Sequence, residues 1–399
     1  MISERTQKTL WTLLAMVAVA LAATTLYLYS RSRGPSMATE KPAGRIAYVY
    51  FSATSGIPQL YTRDAQGGEA RPLVESRFGD LLPVGAPQQT GPGGVRRIAF
   101  VRLRSDPGDD AGTQLGAPGG VYVVRSDGSQ ERMLSESVER PLPVAPAWSP
   151  DGTQLAFAGV DDLNDDGAYP SEEAGIYVAD VETGQTRRVA AVHATGTGLR
   201  WSPHSAQLIL QVRKPQVPVP VAGLLDLQTG ELSFRDDATT VGCWSPGGRY
   251  IAAYSMIERK IHVLSTAGEE LWVTDTPAGY ITDLHWLPAF STDAEGEGRI
   301  LALVATEPNS RWGRLFQSAN LIAHDSAITW RQLTADDLNV AFAAPSADGN
   351  WAVFTGIPRQ ATGVEADVYL INLATGRVQQ LTQDPGFESM ATWVPEQAR

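Results

Sequence analysis

The residues best suited to chemistry lie in one acidic segment near the middle of the chain. It reads DLNDDGAYPSEE from Asp162 to Glu173 and matches the calcium-loop pattern D-x-[DN]-x-[DN]-G-x₅-E. In such a loop alternate residues turn their oxygens inward, glycine allows a sharp turn, and a distal carboxylate closes the shell as a bidentate ligand. The spacing predicts a structural Ca²⁺ ion with these ligands: the side chains of Asp162, Asn164, Asp166 and Glu173, and the carbonyl of Ala168.

Two alternatives to this site stay open from the residues alone. The loop can be an acidic, solvated hairpin connection, which a net-acidic chain produces by chance. The register can also slip by one, so that Glu172 replaces Glu173 as the closing ligand. The flanking segments have strand patterns rather than helical ones, and Pro170 lies in the second half of the loop. Five carboxylates crowded beside one amide nevertheless repel one another unless a cation is bound.

Three common catalytic and nucleotide-binding motifs are absent from the sequence. It contains no G-x-S-x-G, no G-x-x-x-x-G-K-[ST] and no H-E-x-x-H motif. The single cysteine, Cys243, excludes an intrachain disulfide, and its place beside Trp244 indicates a buried thiol. The five histidines are scattered through the chain, at His193, His204, His262, His285 and His324.

The elements that must position these residues are short strands joined by two kinds of turn. Ser149-Pro150-Asp151-Gly152 forms the first turn, since proline presets φ and Gly152 accepts a positive φ. Gln154–Val160 and Gly175–Val181 alternate apolar and polar residues, as half-buried strands do. Four such strands form a small sheet with two open edges, which needs neighbouring sheets to be stable.

Copies of both turns supply those neighbours. The first turn recurs at Leu82-Pro83, Trp201-Ser202-Pro203, Trp244 to Gly248, Trp286-Leu287-Pro288, Ala344-Pro345 (followed by Asp348-Gly349) and Trp393-Val394-Pro395, which makes seven with Pro150. The second turn also has seven copies, at Asp64/Gly67, Asp127/Gly128, Asp180/Gly184, Asp226/Gly230, Thr266/Gly268, His324/Asp325 and Asn372/Gly376. Internal repeats of about 40–50 residues indicate a propeller or an array.

The two ends of the repeat region are complementary. Arg45 to Ser76 carries three strands without a first strand, and Glu388 to Pro395 is a first strand with nothing after it. Pairing them completes a blade and removes two exposed edges. The fold prediction is therefore an all-β, seven-bladed β-propeller over residues 45–399, closed by the C-terminal strand 388–395, with an N-terminal transmembrane helix.

The repeats resemble the TolB-type WD40-like (PD40) propeller repeat, with its W-S-P-D-G and D-x-x-T-G turns. The match is best at Trp148–Gly152, Trp201–Pro203 and Trp244–Gly248. This resemblance implies a propeller over most of residues 45 to 399. It does not imply one chemistry, because the repeat occurs in translocation proteins, peptidase caps and lyases.

The N-terminal region indicates a membrane anchor. After a short tail, residues 1–9, the segment Leu10–Tyr29 has no charge over twenty residues, enough for a helix to span about 30 Å of hydrocarbon. A cleaved signal peptide is the alternative, since Ala20-Leu21-Ala22 resembles a cleavage site. Residues 30–44 read as a flexible linker. Because the short tail is easily left inside, we expect an extracytoplasmic propeller, periplasmic or extracellular.

Net charge limits the partners of the predicted propeller. Residues 1–43 hold five of the 32 Lys/Arg and two of the 44 Asp/Glu, which leaves a net charge of −15 on the remainder. Such a surface repels phosphate backbones, so the sequence argues against nucleic acid as a partner.

The long insertions fall mainly between the second and third strands of the repeat, and such connections emerge on one face. They are Ser105–Gly119, Asp161–Ala174, Arg213–Pro220, Glu307–Gln317 and Pro358–Glu365. The fourth contains residue types typical of interface hot spots: Arg311, Trp312, Arg314 and Phe316. These four residues are the predicted partner-binding site. The alternative is that Trp312 and Phe316 fold back onto their own blade.

Two classes of function follow from these patterns. The first is a membrane-anchored, non-catalytic propeller that binds a protein or glycan through its loop-bearing face. The second is a hydrolase or lyase with a funnel site of dispersed carboxylates or histidines. The sequence favours the first, because no catalytic constellation is visible in it.

We expect the full chain to bind Ca²⁺ through the Asp162–Glu173 loop, with a dissociation constant on the order of 10⁻⁴ M if the loop is open. Calorimetric titration of the wild type and of Asp162→Ala/Asp166→Ala checks this. The double variant should release no heat of binding, since it loses two carboxylate ligands. Equal titrations of the two proteins, or none at millimolar Ca²⁺, would remove the site.

Overall fold

The computed structural model describes residues 42–394, except 53–54, 88–95, 105–116, 139, 162–172, 215–216, 218, 236–237, 290–297, 309, 322–327 and 360–364. Within these ranges the protein is all-β and contains no α-helix. The predicted anchor at Leu10–Tyr29 and most of the linker lie outside them. None of the described elements is a helix long and apolar enough to cross a membrane.

Across the described ranges, twenty-nine strands form seven antiparallel sheets, which are the blades of a propeller. The strands of each blade follow one another outwards from the centre of the ring. Blade 1 is β29 (Gly386–Val394), β1 (Arg45–Ser52), β2 (Pro58–Asp64) and β3 (Arg71–Pro72); blade 2 is β4 (Asp80–Gly85), β5 (Arg97–Arg104), β6 (Ala117–Arg125) and β7 (Arg132–Met133); blade 3 is β8 (Arg140–Pro141) with β9 (Ala147–Trp148), then β10 (Gln154–Val160), β11 (Ala174–Asp180) and β12 (Thr186–Ala190).

The other four blades follow in chain order with four strands each. Blade 4 is β13 (Ala194–Trp201), β14 (Gln207–Val212), β15 (Val221–Asp226) and β16 (Leu232–Phe234); blade 5 is β17 (Thr239–Trp244), β18 (Tyr250–Ser255), β19 (Lys260–Ser265) and β20 (Glu270–Asp275); blade 6 is β21 (Tyr280–Leu287), β22 (Arg299–Ala305), β23 (Arg314–Ser318) and β24 (Trp330–Gln332); blade 7 is β25 (Leu338–Pro345), β26 (Trp351–Pro358), β27 (Asp367–Asn372) and β28 (Val378–Gln380).

Blade 1 joins the two ends of the repeat region. Its innermost strand, β29, pairs antiparallel with β1, from Arg45 opposite Val394 to Ser52 opposite Gly386. This pairing gives β1 a partner on both of its sides, and the free edge of β29 faces the central channel. The predicted fold class, an all-β seven-bladed propeller, is confirmed for the described residues.

The repeat turns form because short polar side chains satisfy backbone groups that no strand pairs. In blade 3 the Ser149 hydroxyl donates to Asp151 at 2.6 Å and accepts from the Gln154 backbone N–H at 2.9 Å, while Gly152 adopts a φ of 69°. In the second turn, Asp180 Oδ1 accepts from the Thr183 backbone N–H at 2.7 Å and from its hydroxyl at 2.8 Å. Both motifs satisfy the backbone by local side-chain hydrogen bonds.

Two of the predicted first-turn copies were wrong in register. Leu82 and Pro83 lie inside β4, where Leu82 has a φ of 54° and the pairing register shifts. A proline is tolerated at such a bulge because no ladder N–H is needed there. Ala344-Pro345 closes β25, and the blade 7 turn follows it: Ser346 Oγ accepts from the Trp351 N–H at 3.0 Å, as Ser149 does from Gln154.

The blades pack against each other through apolar side chains and through tryptophan indoles that reach the preceding blade. Indole N–H groups donate to backbone carbonyls of the neighbouring innermost strand: Trp148 to Val84 at 3.0 Å, Trp244 to Arg200 at 3.0 Å and Trp393 to Ala344 at 2.9 Å. Gly85 shows how closely the innermost strands approach, because a Cβ there would lie 2.0 Å from the Trp393 carbonyl oxygen. These contacts hold the ring at one diameter.

A buried carboxyl group, Glu388, lies beside the half-buried Asp367 where blade 7 meets the closing strand. Glu388 of β29 is fully buried, accepts from the Thr382 hydroxyl at 3.2 Å, and its N–H donates to the Ala366 carbonyl at 2.7 Å. Burial, reinforced by the negative charge of Asp367, raises the pKa of Glu388 to about 8. Burial also raises the pKa of Asp367. Glu388 is therefore protonated at neutral pH.

We expect Glu388→Gln to stabilise the propeller increasingly as pH rises. The unfolded chain loses the Glu388 proton near pH 4.5 and the folded chain near pH 8, so wild-type stability falls between these values and then levels off. The variant lacks this loss and should gain on the order of 3 kcal/mol relative to wild type across the window. Calorimetric melting at pH 5, 6.5 and 8 measures the difference in Tm.

The matched control is Glu69→Gln, a surface carboxyl in the chain between β2 and β3. Its difference in Tm from wild type should stay flat over the same window. A Glu388→Gln difference that is also independent of pH would contradict the assignment of a protonated Glu388.

Candidate functional site

A cavity of about 510 Å³ occupies the centre of the propeller. All seven innermost strands or their flanking residues line it, so the ring of blades defines its wall. Three connections between second and third strands also contribute, through Val219 and Pro220, through Met256, and through Ser310 and Arg311. We call the face on which these connections emerge the insertion face. The cavity therefore opens on the face that carries the long loops.

Strained backbone lines one side of this cavity. Five non-glycine residues of the described chain have a positive φ, and three of them, Leu82, Phe342 and Met390, line the cavity from the adjacent blades 2, 7 and 1. A left-handed conformation costs roughly 1–2 kcal/mol at such a side chain. Each lies at a register shift of its innermost strand. The bulges turn these apolar residues towards the channel.

The opposite side carries the charged groups of the cavity. Arg200 of β13 forms an ion pair with Asp283 of β21, although blade 5 separates their blades. The His285 ring closes the cluster, with Nδ1 3.2 Å from Arg200 Nη1 and Nε2 3.1 Å from Asp283 Oδ2. Asp283 Oδ1 also accepts from the Leu284 backbone N–H at 2.9 Å. The three side chains thus satisfy one another across two blade boundaries.

Asp283 stays ionised in this cluster. Burial acts to raise the pKa of Asp283, but His285 and Arg200 outweigh it and lower this pKa to about 2. Cys243 of β17 is buried close by, and burial raises its pKa to about 12. The thiol is therefore protonated and unreactive at neutral pH.

Both nitrogens of the His285 ring have a partner within the cluster: Nδ1 faces Arg200 and Nε2 faces Asp283. The ring therefore presents no unengaged nitrogen to a ligand in the cavity. In the part of the chain that the structure describes, no three His, Cys, Asp or Glu side chains converge as metal ligands do. The arrangement is suited to binding a charged or polar group.

The predicted partner-binding residues do not form one surface. Arg311 is exposed and lines the cavity, and Trp312 is half-buried in a loop tied by its N–H to Ser310 Oγ at 3.1 Å. Arg314 and Phe316, predicted in the insertion, lie in β23, because this strand begins at Arg314. Arg314 donates to Asn339 Oδ1 at 3.2 Å, and this hydrogen bond connects blade 6 to blade 7. Phe316 packs against the blade 5–6 core.

The predicted calcium ligands fall largely outside the described residues. Asp162, Asn164, Asp166 and Ala168 belong to 162–172, and only Glu173 is described, half-buried immediately before β11. The calcium site remains a prediction from the sequence.

The Arg200–Asp283–His285 cluster was missed by the sequence analysis, although the repeat contains a signal for it. Arg200 and His285 each precede the repeat tryptophan of their blade, Trp201 and Trp286. Aligning the blades on that tryptophan places both residues at one level of the channel wall. The same position holds small or apolar residues in blades 2, 3 and 7, at Val84, Ala147 and Ala344.

Comparisons with known proteins agree with the fold. No protein-family model matches the chain. A protein TolB homolog from Chlorobium luteolum is 30% identical over 164 residues, 35% of this chain and 35% of that protein, so the match spans about a third of the relative's length. The TolB structure from Acinetobacter baumannii is similar at a TM-score of 0.51 and 18% identity, over 90% of this chain and 69% of that one.

Enzyme propellers are similar at the same level. A prolyl endopeptidase structure has a TM-score of 0.54 at 11% identity, over 87% of this chain and 50% of that one. An oligogalacturonate lyase in complex with manganese has a TM-score of 0.50 at 13% identity, over 83% and 86%. At these identities the likeness concerns the fold alone. The resemblance to TolB-type propellers that the repeat residues indicate is confirmed.

We expect Arg200→Met to destabilise the propeller by about 3 kcal/mol, because it leaves the buried Asp283 charge without its arginine partner. The double variant Arg200→Met/Asp283→Asn removes both charges, keeps the Oδ1 acceptor for Leu284, and should recover most of this loss. Urea unfolding of the three proteins measures the free energies. Equal stability of the single variant and wild type would show that the ion pair contributes nothing.

Proposed function

We propose that this chain is a membrane-tethered, non-catalytic propeller that binds a protein partner at the mouth of its central cavity, outside the cytoplasm. The observation that carries the proposal is the position of the cavity, which opens between insertion-face loops and has an interface-like rim. Its volume of about 510 Å³ falls in the range of ligand sites.

The rim of blades 5 and 6 has the composition of an interaction surface. Ile257 follows β18 with 79% of its surface exposed, and Met256 beside it lines the cavity. Arg259 donates to the Tyr280 hydroxyl at 2.7 Å and lies 4.5 Å from the centre of that ring. This contact holds an arginine and an aromatic ring rigid at the mouth. Such preordered groups bind a partner with little loss of conformational entropy.

The charged cluster within the cavity supports binding over catalysis. Both nitrogens of His285 are engaged by Arg200 and Asp283, and Asp283 stays ionised against an arginine. A funnel hydrolase or lyase needs an acid or base that can exchange a proton with substrate. A glycan partner remains the alternative ligand, and its hydroxyls would need many polar partners along walls that are mainly apolar.

The tether is proposed from the sequence. Leu10–Tyr29 has the length and composition of a membrane span, and residues 30–44 have those of a flexible linker. The bound calcium predicted at Asp162–Glu173 would stiffen one insertion-face loop and would have no catalytic role.

We expect Arg311→Ala/Trp312→Ala to weaken capture of the native partner at least tenfold without lowering the Tm, because both residues belong to the rim loop rather than to a strand. The assay is a pull-down with detergent-solubilised protein from carbonate-washed native membranes. Absence of the protein from that fraction would argue against the tether.

The matched control for the pull-down is Arg377→Ala, an exposed arginine in the turn between β27 and β28 on the opposite face. It should capture the partner as the wild type does. Unchanged capture by the rim variant, with the control also unchanged, would exclude the mouth as the binding site.

A further inference from the structure

We propose that the cavity recognises an extended acidic peptide segment of its partner, with one carboxylate received by Arg200 inside the channel and another by Arg311 at the rim. This inference rests on the proposed function and adds the chemistry of the ligand. The charged side chains that line the cavity are Arg200, Arg311 and Asp283, and His285 lies beside them. Two arginines face a single carboxylate, on a chain with a formal net charge of −12.

Arg200 has donors left for a ligand. A guanidinium carries five N–H groups, and the contacts with Asp283 and His285 use two of them. A quarter of the side chain is exposed, and it faces the cavity. Apolar residues such as Val241, Ile281 and Leu303 share the wall. In such surroundings a charge-assisted hydrogen bond to a carboxylate is stronger than in water.

Arg311 is the second anion-binding group. It is exposed on the rim loop, and among the described residues its side chain has no hydrogen-bond or ion-pair partner. Ser310 holds the loop, since its hydroxyl donates to the Trp312 carbonyl at 2.9 Å and accepts from the Trp312 N–H at 3.1 Å. The arginine is thus presented on an anchored turn.

The distance between Arg200 in the channel and Arg311 at the rim determines how long a ligand must be to reach both. Tyr280 pairs with Ala305 at the insertion face, and His285 lies five residues further along the same strand. At about 3.3 Å per residue the cluster is roughly 15 Å below the rim. An extended peptide of four or five residues spans that depth, and its side chains suit the apolar wall. A chain with carboxylates at both ends of this span meets both arginines.

Selection from a library of linear octapeptides, displayed against the detergent-solubilised full chain, tests the inference. Enriched peptides should carry an Asp or Glu, and changing that residue to Asn or Gln should weaken binding at least tenfold by fluorescence anisotropy. Arg200→Gln/Asp283→Asn, in which both charges of the ion pair are removed together, should lose at least tenfold. Arg311→Gln should lose about threefold, and Arg377→Gln on the opposite face should lose nothing.

Asp283→Asn gives the sharpest outcome. It frees Arg200 from its competing carboxylate while keeping the Oδ1 acceptor, so it should bind the acidic peptides several-fold more tightly than wild type. A purely structural role for the cluster predicts weaker binding instead, and that result would overturn the inference. Enriched peptides without acidic residues, or no peptide that depends on Arg200, would also overturn it.

Trigalacturonate, titrated in parallel, separates the macromolecular classes. Arg200-dependent binding of this sugar without any such peptide would replace the peptide by an acidic glycan. Peptides that lose affinity with Arg311→Ala/Trp312→Ala and ignore Arg200 would contradict this inference and leave the proposed function standing. Peptides whose binding depends neither on Arg200 nor on the rim residues Arg311 and Trp312 would contradict both this inference and the proposed function.

Discussion

The hydrogen bond from a tryptophan indole in one blade to a backbone carbonyl in the blade before it is the contact on which the ring depends. Trp148, Trp244 and Trp393 each make it, at 2.9–3.0 Å. The three accepting residues, Val84, Arg200 and Ala344, also line the central cavity. A contact that fixes the spacing of the blades therefore also fixes the wall of the site. Because the indole is buried and its N–H must be satisfied, this geometry has little freedom.

The same constraint explains why the cavity can hold charge. Trp244 binds the Arg200 carbonyl, which fixes the start of a side chain that must reach past blade 5 to Asp283. Cys243 of blade 5, which is buried beside this pair, is small and leaves room for that reach. A buried carboxylate is costly unless it is paired, and here two partners lower its pKa to about 2. The cavity thus has mainly apolar walls and a few polar groups held in fixed positions, as ligand-binding sites do.

Much of the fold could be predicted from the residues, because each turn carries local chemistry that does not depend on distant contacts. The Ser149 and Asp180 turns are visible in sequence for this reason, and the missing first strand before Arg45 indicated the closure with β29. The register at Leu82-Pro83 could not be read, since a bulge set by the neighbouring blade places that proline inside a strand. The cluster of Arg200 with Asp283 joins residues 83 positions apart. Only the curvature of the ring brings them together, and no local pattern encodes it.

The pairing of β29 with β1 has a mechanical consequence. Arg45 lies opposite Val394, so the start and the end of the propeller meet at the same end of one antiparallel pair. Inter-strand hydrogen bonds in such a pair run perpendicular to the strands. A force that draws the two ends apart loads these bonds one after another, as a zipper is opened, rather than all at once in shear. Tension between the two ends would thus open the propeller at blade 1, by separating β29 from β1.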